Sequence, residues 1–174
     1  MAQKQTIFGR VAQLAKANIN ALIDRAEDPQ KMIDQLIRDY TNNIAEAEQA
    51  VAQTIGNLRL AEQDYQEDLN AAQDWGAKAI AASTRADQLR TQGNTAEADK
   101  FDNLAKVAIS KQIAAEGEAK SAEPMIASQR DVVEKLKSGL AQMKDKLGDL
   151  KNRRDQLVAR SKSAQAQSAV QGAI

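Results

Sequence analysis

The chain has 174 residues, of which 28% are charged and 3% aromatic, and it contains neither cysteine nor histidine; disulfides, thiol nucleophiles, imidazole bases and Cys/His metal sites are therefore excluded. Lys plus Arg and Asp plus Glu number 24 each, for a net charge of 0, so no bulk basic surface favours nucleic acid. One Trp, two Phe and two Tyr cannot anchor a thick globular core, whereas the abundance of Ala, Gln, Leu, Lys, Asp and Glu suits long helices and coiled coils.

Residues 1–26 read as a short amphipathic helix. At about 100° per residue, Ile7, Phe8, Val11, Leu14, Ala15, Ile19, Leu22, Ile23 and Ala26 share one half of the wheel, with Arg10, Gln13, Lys16, Asn20 and Asp24 on the other. Lys4, Arg10 and Lys16 are cationic, and no acidic residue precedes Asp24. A basic amphipathic helix of modest hydrophobicity is the pattern of a helix lying in the lipid interface. On the pattern alone a second reading stands beside it, in which the apolar face packs on the rest of the protein. The lipid reading assigns membrane contact to Lys4, Ile7, Phe8, Arg10, Val11, Leu14, Lys16, Ile19 and Leu22. It also expects the segment to be mobile or loosely docked away from lipid, because the hairpin seam is filled by its own two helices. No run in the chain approaches the roughly 18–20 apolar residues of a membrane span. The cations and Asn18 and Asn20 also interrupt any signal-peptide core, so the expected location is the cytoplasm.

Asp28 suits an N-cap and Pro29 a first helical position, opening a long helix over residues 29–91. Its apolar positions follow 4-3 spacing through Ile33, Ile37, Tyr40, Ile44, Val51 and Leu58 and on through Ala72, Ala79 and Ala86 to Leu89. Gly93 then reads as the residue closing that helix, and Asn94 with Glu97 as a capping box opening the next. A second long helix, from about 95 to 162, carries the same spacing from Ala98 through Ala105 and Ala108 to Leu136, Leu140, Met143, Leu147 and Leu150. Two such seams joined by a turn near 92–95 predict an all-α fold, a long antiparallel coiled-coil hairpin over 29–162. Pro124 is expected to kink or break the second helix near Ser121–Glu123, and isolated glycines such as Gly139 read as bend points. The Ala/Gln/Ser-rich stretch 163–174 reads as a flexible tail or a truncated linker.

Charge favours the same pairing. Residues 29–70 hold eight acidic and three basic side chains, and residues 130–162 hold ten basic and five acidic. The hairpin sets these arms side by side, where their attraction fixes register more than stability. The cluster Lys151, Asn152, Arg153, Arg154 then reads as an ion-paired face rather than a nucleic-acid site. No phosphate-cradling glycine loop occurs, and the carboxylates lie on solvated helix faces. The chain therefore reads as no enzyme, with no cofactor.

The run from Ala17 to Met32, ANINALIDRAEDPQKM, closely resembles the start of the phage shock protein A (PspA) family. The chain is also similar to the vesicle-inducing protein of plastids and cyanobacteria, and more remotely to ESCRT-III subunits. The resemblance spans nearly the whole chain, with its specificity in the first 32 residues and the remainder matching by architecture. It implies a membrane-stress protein, peripheral on the inner face of the cell membrane, whose N-terminal helix enters stressed or anionic bilayer. It further implies homo-oligomeric rings or rods that stabilise or remodel the membrane, and in some relatives the binding and silencing of a stress-response transcription activator. Members of the family usually continue beyond the hairpin into further helices used in subunit contacts. This chain stops at Ile174 and so reads as a truncated form or a short variant, which puts rod assembly in doubt.

Overall fold

A computed structural model describes residues 6–173, and every regular element among them is a helix. Helix α1 spans Ile7–Lys16, α2 Ile19–Asp24, α3 Pro29–Thr91 and α4 Thr95–Gly172. Helices α3 and α4 pack against each other as a hairpin. The chain divides into two compact units, one joining the chain up to Thr54 to the chain from Val132 onward, the other Ile55–Asp131.

The helix ends have local causes. Asp28 Oδ1 accepts from the Lys31 amide at 3.2 Å, and Pro29 loses nothing at a position whose N–H would be unpaired. At the far end Gly93 adopts a left-handed φ of 79°. The Asn94 amide then donates to the Leu89 carbonyl at 2.9 Å and the Gly93 amide to the Arg90 carbonyl at 3.0 Å, a Schellman closure that needs a residue without Cβ strain. Glu97 pairs with Lys100 at 3.1 Å, in keeping with an acidic residue in the first turn of α4.

In the unit that contains the turn, small residues fill the seam: Ala72, Ala79, Ala86, Ala98, Ala105, Ala108 and Ala119 are buried, together with Leu58, Leu89 and Ile126. Trp75 lies beside this seam, with the Lys78 and Lys111 ammonium groups 4.4 and 4.5 Å from its ring centre. Arg130 bridges to Glu62 at 2.8 Å. In the other unit the core is larger. Ile33, Ile37, Tyr40, Ile44, Met143 and Leu150 are buried there, as is Val51, with Leu140 and Leu147 half-buried beside them. Leu136 is buried in the same unit. Lys144 bridges to Glu48 at 2.8 Å.

Three expectations are refined. Of the kink or break expected near Pro124, the break does not occur, since helix α4 is continuous there. Both Pro124 and Lys120, whose carbonyl loses its partner, belong to exposed residues, so water can satisfy that carbonyl. The stretch from Ser163 is helical to Gly172, since Ala and Gln are good helix formers that can prolong a helix already nucleated upstream. The N-terminal segment is two helices rather than one. Ala17 is extended, and Asn18 starts α2 by accepting from the Ala21 amide at 3.1 Å, the competition with helix that makes Asn a better cap than interior residue.

Candidate membrane interface

Thr6 caps helix α1, its hydroxyl accepting from the Gly9 amide at 3.2 Å. It ends with Lys16 in the last turn, a cation placed well for the negative helix end. Its apolar stripe continues across the break into α2, so that Val11, Ala15, Ile19 and Ile23 recur at every fourth position. All four are buried, Val11 and Ile23 with only 2% of their surface exposed, in one cluster with Ile33, Ile37, Tyr40, Ile44, Met143 and Leu150. The N-terminal segment is thus docked on the hairpin rather than loose. The two-helix seam leaves a flank open, and α1 and α2 close it as a third layer.

One close approach sets this docking. A Cβ at position 139 would lie 2.6 Å from Val11 Cγ1, too close unless the Val11 side chain or its helix shifts. Gly139 is therefore a packing notch and not merely a bend point.

Polar groups hold the ends of the two short helices. The last carbonyls of a helix lack intrahelical partners, and here the hairpin supplies them. Tyr40 Oη donates to the Leu14 carbonyl at 2.7 Å, and burial pushes the Tyr40 phenol pKa upward. Lys146 Nζ donates to the Ala17 carbonyl. Arg153 donates to Asn20 Oδ1 at 2.6 Å and to Asp24 Oδ1 at 2.9 Å. Arg10 donates to Asn43 Oδ1 at 3.1 Å and pairs with Glu46 at 2.6 Å. Its Nε is buried without an acceptor among the described residues.

The residues assigned to lipid contact therefore divide three ways. Phe8 and Leu22 are 44% and 45% exposed, and Lys16 is exposed near them. Ile7, Leu14 and Arg10 are half-buried, whereas Val11 and Ile19 are inside the core. Lys4 lies outside the described residues. Beside Phe8 runs an apolar groove of about 700 Å³ lined by Val11, Ala15, Val132, Leu136 and Gly139, with Lys16 and Lys135 at its rim. Sequence reasoning missed Tyr40 Oη, Gly139, Lys146 and Arg153 as partners of the segment. Only the seven-residue spacing of Lys146 and Arg153 hinted that they share a face, and nothing local named what they hold.

Among the described residues no helix is long and apolar enough to cross a membrane. The match to the PspA/IM30 family covers residues 6–174. The chain is 29% identical over 165 residues to the membrane-associated protein Vipp1 of Synechocystis, covering 95% of this chain and 57% of that protein. It is likewise 29% identical over 161 residues to a phage shock protein A homologue of Deinococcus radiodurans, covering 92% and 66%. It is 25% identical over 160 residues to LiaH of Bacillus subtilis, covering 92% and 65%. The chain thus spans about three fifths to two thirds of the length of these relatives. A match that runs from Thr6 through both hairpin helices assigns the whole described fold, and the chain belongs to the PspA/IM30 family.

Proposed function

We propose that this protein is a peripheral membrane-stress scaffold that binds anionic bilayer through residues 1–26 and acts in many copies. The observation that carries the reading is the composition of the N-terminal stripe. It combines nine apolar positions with cations and has no acid before Asp24, in a family whose relatives include proteins named membrane-associated. An interfacial helix gains from burying such side chains, each worth at most about 1.5–3 kcal/mol. Each cation near an anionic leaflet adds about 1 kcal/mol. Ordering costs on the order of 1 kcal/mol per residue, so a single copy binds weakly and an assembly binds tightly. Exposed Ile80, Leu104, Val107, Ile109 and Ile113 on the turn-bearing unit offer apolar surface for contacts between copies.

Flotation with phosphatidylglycerol vesicles tests the reading. Phe8→Glu and Leu22→Glu are the informative variants, because both side chains are exposed and a charge there leaves the hairpin core intact. Both should lose vesicle binding while retaining the wild-type circular dichroism. If both still float, the membrane assignment of the segment is wrong.

A further inference from the structure

We infer that the docked N-terminal segment is an autoinhibitory latch, and that the protein binds lipid only when α1 and α2 leave the hairpin; this rests on the membrane reading above. The same stripe cannot serve two partners. Val11, Ala15, Ile19 and Ile23 are buried against the hairpin, so the docked protein offers lipid little of that stripe beyond Phe8 and Leu22.

The latch is built to be opened by an anionic surface. Its ion pairs, Arg10 with Glu46 and Arg153 with Asp24, involve partly exposed side chains, and such pairs are weak and easily screened. A lipid phosphate offers Arg10 the acceptor that Glu46 now supplies, and an anionic leaflet repels Glu46 and Asp24. Docking is also tuned by a single notch, since Val11 sits where any side chain at position 139 would begin. Released, the segment gives up its hairpin contacts and presents the full stripe to the bilayer. The apparent lipid affinity is then the intrinsic affinity reduced by the fraction of protein that is undocked.

The chain has no cysteine, so a Val11→Cys, Gly139→Cys pair can be bridged alone, at positions close enough for a disulfide. Oxidised, the protein should bind phosphatidylglycerol vesicles about tenfold or more weakly than after reduction, as expected when the competent fraction is removed. The single variant Gly139→Ala should raise vesicle binding about threefold or more over wild type, since it improves helix propensity while displacing Val11. Equal binding by the oxidised and reduced forms would overturn the latch. If neither wild type nor Gly139→Ala nor the reduced pair binds vesicles, the membrane reading itself fails.

Discussion

Tyr40 shows how one side chain joins two layers of this protein. Its ring lies in the hairpin core, while its hydroxyl caps the Leu14 carbonyl near the end of α1. Tyr40→Phe keeps the ring and removes the bond, at a cost of about 0.5–1.5 kcal/mol. Hydrogen exchange should read this as faster exchange of the α1 amides, with the α3 amides near Tyr40 much less affected. Burial raises the phenol above its ordinary pKa of 10.0, so the folded state holds this proton more tightly than the unfolded chain. The stability contributed is complete below the ordinary tyrosine value and is lost as pH rises from there through the raised value. Wild type should therefore undock on alkaline titration more steeply than Tyr40→Phe. Gly93 is the residue-scale counterpart at the turn. A Cβ there meets nothing within 4 Å, so Gly93→Ala is opposed by backbone strain alone, about 1–2 kcal/mol. The thermal midpoint should fall by about 2–4 °C per kcal/mol in a chain of this size.

At the scale of elements, what was legible in the sequence was what is local or periodic. Asp28, Pro29 and Gly93 act on backbone groups within five residues of themselves, and the seam residues repeat at fixed spacing, so the hairpin could be read directly. The docking could not be. An apolar stripe looks the same whether lipid or protein covers it, and the groups that decide in this structure, Gly139, Lys146 and Arg153, lie more than a hundred residues away along the chain. The Ala17–Asn18 break was hidden for a related reason, because the four-residue recurrence of apolar positions runs straight through it. Charge on the two arms was legible in sum and misassigned in part. Glu48 does meet Lys144 and Glu62 meets Arg130, but Glu46 holds Arg10 and Arg153 holds Asp24. Glu48→Lys should thus lower hairpin stability by only about 0–1 kcal/mol, more at low salt, with Lys144→Glu restoring it in the double variant. Glu46→Lys should instead loosen α1 and leave the hairpin melt nearly unchanged.

Across the whole molecule, the docked segment and the hairpin form a balanced pair. Burial of Val11, Ile19 and Ile23 against the hairpin favours docking, and the conformational entropy lost in ordering α1 and α2 opposes it. On the proposal made above, this opposition is what lets the segment exchange between the hairpin and a bilayer. The most direct measurement places a tryptophan at Phe8→Trp in a Trp75→Phe background, making it the sole indole, since the chain has one Trp. Its emission is then followed as brominated phosphatidylglycerol vesicles are added. A blue shift with strong quenching is expected on anionic vesicles, with little of either on neutral vesicles and a loss of both when Lys16→Glu is added. Unchanged emission on the anionic vesicles would contradict the claim that this segment enters the membrane.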